Sequence, residues 1–125
     1  TSVRALQRSI RASDPQQNRS EIEFEVTNNG SAVQNRVDIS FLLPPELEYV
    51  DIDLQETGLN LINAVQPGQR RFDLTRRNSL RPGESIRFRA LVAGVRPGEA
   101  AVEIVANSQE SGGVVVNSET IQVAP

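Results

Sequence analysis

Apolar and polar residues alternate with a period of two along most of this chain. Ile22, Phe24 and Val26 interleave with Glu21, Glu23, Glu25 and Thr27. Val37, Ile39, Phe41 and Leu43 interleave with Asp38, Ser40 and Leu42, and Val50, Ile52 and Leu54 with Asp51, Asp53 and Gln55. Ile86, Phe88, Ala90 and Val92 alternate with Arg87, Arg89 and Leu91; Val102, Ile104 and Ala106 alternate with Ala101, Glu103 and Asn107. Neighbouring side chains on a strand point to opposite faces, so each run predicts a strand that buries one face. A last strand is expected over about residues 114–123.

Turn signals divide these runs: Asp14-Pro15, Asn28-Asn29-Gly30-Ser31, Pro44-Pro45, Gln66-Pro67-Gly68, Arg81-Pro82-Gly83, Arg96-Pro97-Gly98 and Ser111-Gly112-Gly113. Proline presets φ for a turn, and glycine supplies the positive φ that the next position often needs. Short strands between such turns predict an all-β antiparallel sandwich with no substantial helix. Two stretches are less regular. Val3, Leu6 and Ile10 stand at near-helical spacing, but Arg and Ser interrupt any apolar stripe, so a short first strand is expected within residues 1–12. Leu59, Leu61, Ile62, Val65, Phe72 and Leu74 alternate weakly and predict two irregular strands, about 59–65 and 69–75.

At 125 residues the chain has the size of one domain, residues 1–125. It begins at Thr1 and contains no Met, which fits a piece excised from a longer precursor. Cys, His and Trp are absent, and all 13 basic residues are Arg. That excludes zinc fingers, haem ligation, Cys–His pairs and Ser–His–Asp triads. It also excludes Schiff-base and P-loop lysines and Lys–Asn cross-links. A Ser nucleophile would have no His or Lys as its base. No enzyme activity and no cofactor are expected. The net charge of −3 argues against nucleic-acid binding. No apolar run approaches the roughly 20 residues of a membrane span, so no direct membrane insertion is expected.

Four motifs in order carry a resemblance. Glu23 to Gly30 reads E-F-E-V-T-N-N-G and continues through Ser31-Ala32; Leu43 to Val50 reads L-P-P-E-L-E-Y-V. Leu80 to Phe88 reads L-R-P-G-E-S-I-R-F, and Gly94 to Ser108 reads G-V-R-P-G-E-A-A-V-E-I-V-A-N-S. The chain resembles, over about residues 5–123, the bacterial and archaeal surface-repeat family catalogued as domain of unknown function eleven. It is similar, less closely, to the cell-adhesion-related domain found in bacteria. The resemblance implies an immunoglobulin-like sandwich of seven to nine strands, used as a module of long secreted or cell-surface proteins. It transfers no catalytic residue. The antibody-type Cys–Trp–Cys core is missing, so the core must rest on aliphatics with Phe24, Phe41, Phe72 and Phe88. Asn28-Asn29-Gly30 would supply a bend tolerant of positive φ, and Pro44-Pro45 would end a strand.

Several groups are candidate sites, each with a plain structural alternative. Glu21, Glu23 and Glu25 could bind Ca²⁺ or supply a glycosidase pair. Alternatively they form a solvated ladder: in an immunoglobulin-like topology their strand pairs with residues 84–92, which sets Glu23 and Glu25 across from Arg87 and Arg89. Asp51, Asp53 and Glu56 could chelate Ca²⁺, or form a polar strand edge. Arg70, Arg71, Arg76, Arg77 and Arg81 could form an anion or partner patch, or a solvated edge paired with Asp73 and nearby Glu residues. Tyr49 could stack on a sugar, or pack at the rim with its hydroxyl in solvent. Asn18-Arg19-Ser20 and Asn29-Gly30-Ser31 match the N-glycosylation pattern and fall in predicted loops.

The expected role is a non-enzymatic structural or adhesion module of a larger bacterial protein, placed outside the cell or on its surface. Its partners would be neighbouring domains of the same precursor. Two alternatives stay open: a module that binds a protein or polysaccharide through loops at a sandwich end, and an accessory domain of a secreted enzyme.

Overall fold

The computed structural model describes residues 2–110 and 114–125. The Ser111-Gly112-Gly113 turn therefore lies outside the described residues. Among them the structure is all β, in ten strands: β1 (Ser2–Ala5), β2 (Ser9–Arg11), β3 (Arg19–Thr27), β4 (Gln34–Leu42), β5 (Leu47–Asp53), β6 (Arg71–Asp73), β7 (Arg77–Leu80), β8 (Ser85–Gly94), β9 (Gly98–Asn107) and β10 (Val114–Ala124). One sheet has the order β1-β3-β8-β5; the other runs β2-β10-β9-β4-β6, with β7 also paired to β4. The two sheets enclose one apolar core.

The order matches the four-strand and three-strand sheets of immunoglobulin domains, with β1, β3, β8 and β5 in one layer and β4, β9 and β10 in the other. The path differs after β5. There the chain crosses back to the opposite sheet, adds β6 and β7 beside β4, and crosses again into β8.

The period-two runs become the long strands, and most of their apolar positions are buried: Ile22, Phe24 and Val26 on β3, Ile86, Phe88, Ala90 and Val92 on β8. The expected Val50-Ile52-Leu54 face is the exception, with Ile52 and Leu54 only half-buried and Val50 outside the core. All five aromatic residues form one chain of rings across the layers. Phe88 and Phe24 stack at 4.8 Å between centroids, Phe24 meets Phe41 at 5.1 Å, Phe41 stacks on Phe72 at 4.8 Å, and Phe72 meets Tyr49 at 5.3 Å. The four expected phenylalanines thus bridge the sheets, and Tyr49 carries the chain to the rim. Tyr49 and Ile52 both face inward because a bulge between Tyr49 and Asp51 shifts the register of β5.

Three expectations need correction. The first strand is two strands. β1 pairs with β3, then Leu6–Arg8 cross to the other sheet, where β2 runs parallel to the end of β10. Gln7 fixes the crossing: its carbonyl accepts from Ser20 Oγ and its Oε1 from Glu21 N. Residues 59–65 form no strand. Leu59 is buried and Leu61 makes one bridge to Leu74, but Ile62 and Val65 turn to solvent, so no face is left to bury. The expected 69–75 strand shrinks to β6, with β7 following it along β4.

Asn28 also works differently from expectation. Neither Asn28, Asn29 nor Gly30 has a positive φ. Instead the buried Asn28 side chain donates to the carbonyls of Ala32 (2.8 Å) and Leu80 (2.9 Å) and accepts from Gly30 N (3.0 Å). Among the described residues the non-glycine residue with positive φ is Arg36, at 53°. Two of the three X-Pro-Gly turns behave as expected: Gly68 and Gly83 have φ of 75° and 78°, and Gln66–Gln69 and Arg81–Glu84 close four-residue turns, whereas Gly98 has a φ of 142° and already begins β9 opposite Val123.

Ser2 pairs at the Glu25 end of β3, whereas Val123 packs beside Gly94, at the Asn18 end. The first and last strands therefore meet opposite ends of the sandwich.

Candidate functional site

The outer face of the β1-β3-β8-β5 sheet carries a charge ladder. Glu23 lies across from Arg89 and Glu25 across from Arg87, the pairing expected from the sequence. Arg87 Nε donates to Glu25 Oε2 at 2.7 Å, and Arg89 reaches Glu21 at 3.4 Å and Glu23 at 3.3 Å. The hydrogen bond from Arg87, then that from Thr27, hold the Glu25 carboxyl below its ordinary range. The three glutamates spend their charge on arginines.

The other acidic candidates do not converge. Among the described residues no group of three or more Asp and Glu is placed to hold a metal ion. Asp51 accepts from Ile52 N and Asp53 from Gln55 N, while Glu56 lies near Arg87.

The five arginines are strung along β4. Arg70 borders its Leu43 end, where Leu43 N donates to Arg70 O, and Arg81 follows Leu80, which pairs with Gln34. Nine strand residues, about 30 Å, separate those points. Three of the five are neutralised in place. Arg76 grips Asp38 with two hydrogen bonds (2.8 and 3.0 Å), Arg77 pairs with Glu84 at 2.9 Å, and Arg71 with Asp73 at 2.9 Å. The Asp73 carboxyl is held below its ordinary range first by the Ser40 hydroxyl and also by Arg71. Arg70 and Arg81 have no carboxylate within ion-pair distance among the described residues.

Arg70 belongs to a different assembly. Three turns distant in sequence converge at one end of the sandwich: Pro44–Leu47 between β4 and β5, Val65–Arg70 before β6, and Val95–Arg96 between β8 and β9. They border a cavity of about 490 Å³ that is broadly open to solvent. Its lining is mixed: Pro44, Pro45, Tyr49, Val65, Pro67 and Val95 give it an apolar side, and Arg70, Arg96 and Glu48 are among its polar groups. The walls are fixed. Pro44 O accepts from Leu47 N, and Val95 N donates to Glu46 O. Gln69 clamps the middle turn, taking Gln66 N on its Oε1 and donating its Nε2 to Arg71 O.

Tyr49 stacks on Phe72 and lines this cavity; burial, then the charge of Asp51, push its phenol up from the ordinary value. Its hydroxyl has no hydrogen-bond partner among the described residues. Sequence reasoning marked Arg70 and Tyr49 separately but not Arg96, Val65 or Val95. The signal that could have joined them is that two Pro-Gly turns and the Pro-Pro pair all punctuate the same ends of their strands.

Of the two glycosylation matches, Asn29 is exposed, whereas Asn18 is half-buried with its Oδ1 enclosed and unpartnered. No helix of the described residues is long and apolar enough to cross a membrane.

No family model matches the chain, and no curated protein matches it. Solved structures do. The chain is similar to a cohesin module from a family 33 glycoside hydrolase of Clostridium perfringens, with a TM-score of 0.64 and 9% identity over 98% of this chain and 94% of that one. It is similar to the collagen-binding domain of a Staphylococcus aureus adhesin, with a TM-score of 0.59 and 11% identity over 96% and 95%. A non-cellulosomal cohesin from the archaeon Archaeoglobus fulgidus gives a TM-score of 0.53 and 12% identity over 100% and 93%. Likenesses this remote in sequence show the fold. The chain is an all-β sandwich of the immunoglobulin-like kind.

Proposed function

We propose that this chain is a non-enzymatic protein-binding or adhesion module of a larger secreted or cell-surface protein, and that it binds through the end bounded by Pro44–Pro45, Val65–Arg70 and Val95–Arg96. The observation that carries the reading is the preformed cavity there, part apolar in its walls and fringed by two guanidiniums that have no carboxylate partner among the described residues. Evenly neutralised surfaces, such as the ladder of Glu21, Glu23 and Glu25 with Arg87 and Arg89, suit spacing and solubility; this end is built otherwise. The cohesin and collagen-binding folds support the same class of role and a surface setting. Residues 1–125 would act as one domain. Strands meeting opposite ends of the sandwich suit a module strung in series with its neighbours.

The test is a binding screen of the whole chain against a panel of extracellular-matrix proteins and a glycan array. Binding to a protein, lost in a Val95→Asp variant of unchanged melting temperature, is the expected result. A uniformly negative screen, or binding that Val95→Asp leaves intact, would overturn it.

A further inference from the structure

We infer that the end cavity takes an extended segment of a partner protein carrying one isolated acidic residue. The carboxylate lies between Arg70 and Arg96, and the neighbouring apolar side chain rests against Tyr49. The inference rests on reading the chain as a protein-binding module and adds the chemistry of the partner.

Charge is the first ground. The chain has a net charge of −3, and among the described residues seven of its 13 arginines pair with carboxylates; Arg11, Arg19, Arg36 and Arg81 do not, but they stand outside this cavity. Arg70 and Arg96, which line one cavity, have no such partner among the described residues. A guanidinium forks onto a carboxylate through two parallel hydrogen bonds, so two of them beside an apolar wall select a carboxylate on an otherwise apolar segment. Glu48 also lines the cavity. Its charge opposes a second anion close by, which disfavours acidic runs and polyanionic sugars and favours a single carboxylate.

Preorganisation is the second. Pro44, Pro45 and Pro67 fix their own φ, Gln69 clamps the turn between them, and Tyr49 is held by Phe72. Little ordering entropy is then lost when a segment binds. About 490 Å³ lies within the range of roughly 300–1,000 Å³ typical of sites that enclose a small ligand or a few side chains. The Tyr49 hydroxyl adds a further group that a bound peptide carbonyl could satisfy.

The experiment pans a random 12-residue peptide library against the whole 125-residue chain, then measures affinities of enriched peptides by fluorescence anisotropy. Enriched sequences are expected to share one Asp or Glu beside an aliphatic or aromatic residue. Arg70→Ala and Arg96→Ala should each weaken binding about tenfold, Asp→Asn in the peptide should do the same, and Arg87→Ala on the ladder should change nothing. Both cavity arginines are exposed, so the variants keep the fold. Enrichment of peptides without carboxylates, unchanged affinity in both variants, or no enrichment at all would overturn the inference. So would self-association of the chain abolished by Arg70→Ala, which would make a second copy the occupant. If matrix-protein binding sensitive to Val95→Asp persists while the peptides prove non-acidic, the binding module stands and the acidic partner falls.

Discussion

Arg89 sits directly across from Glu23, its Nη2 3.3 Å from Glu23 Oε1, and Arg4 approaches the other oxygen of the same carboxylate at 2.6 Å. Asp53 faces Arg89 from the far side, so one row across the four strands reads Arg4, Glu23, Arg89, Asp53, alternating in sign. The Arg89 side chain is 57% exposed, so solvent screens the attraction. Arg89→Ala is expected to cost about 0.2–1 kcal/mol by urea denaturation, with the difference shrinking in 1 M salt. Glu23→Arg should cost more, since it aligns like charges across neighbouring strands. A loss above about 2 kcal/mol for Arg89→Ala, insensitive to salt, would contradict the surface reading.

The acid limb of stability should come from carboxylates. Glu25 and Asp73 titrate below their ordinary values in the folded chain, held by Arg87 and Ser40 respectively. A depressed folded pKa means stability that is fully present above the unfolded value, about 4, and is lost as pH falls through the folded value. With no His in the chain, stability is expected to be nearly flat between about pH 6 and 9 and to fall below about 4.5. Tyr49, raised by burial and Asp51, works in the opposite sense: its contribution is present below about 10 and lost above. Thermal melts from about pH 3 to about pH 11 check both limbs. Ser40→Ala should flatten the acid limb; a stability that rises from pH 6 to 3 would refute the assignment.

The Asn28 side chain braces the loop after β3 with two hydrogen bonds, to Ala32 O and from Gly30 N, and ties it to the end of β7 with a third, to Leu80 O. Asn28→Ala leaves two carbonyls and one N–H without that partner and is expected to cost about 2–3 kcal/mol. Asn28→Asp should cost at least as much, because a carboxylate offers both carbonyls repulsion in place of a donor. Urea midpoints decide; a loss under about 0.5 kcal/mol for both would show that water replaces the staple.

Gly94 ends β8 where the sheets close on each other. A Cβ there would lie 2.9 Å from Val123 Cγ1 and 3.0 Å from Ile10 Cδ1. Both neighbours are buried, so Gly94→Ala should cost about 1–3 kcal/mol by overpacking. Val123→Ala in the same chain should recover part of that loss, a coupling readable in a double-mutant cycle. Strict additivity of the two substitutions would contradict the close approach.

β3, β8 and β9 were legible because each keeps one apolar face in strict alternation, and the register of Glu23 on Arg89 followed once their strands were paired; in β5 the bulge after Tyr49 breaks the alternation that Val50, Ile52 and Leu54 suggested. Residues 54–70 were not. Leu59 turns inward, while Ile62 and Val65 stay in solvent, so apolar content there does not track a buried face. The role of Asn28 was hidden for a related reason: Asn-Asn-Gly signals a bend, but which amide enters the interior depends on Leu80, 52 residues away. Arg70 was marked for the wrong company. Its sequence neighbours are spread along β4 and mostly paired, whereas Arg96, with which it shares the cavity, sits 26 positions on. Turn residues show where a chain reverses, and tertiary contacts decide which reversals meet.

The most direct measurement is amide chemical-shift mapping of the chain as the tightest enriched acidic peptide is added. Shifts centred on residues 44–49, 65–70 and 95–96, absent in the Arg70→Ala and Arg96→Ala double variant, are the predicted result. Shifts centred instead on Arg4, Glu23 and Arg89, or along β10, would place binding on another face and contradict it.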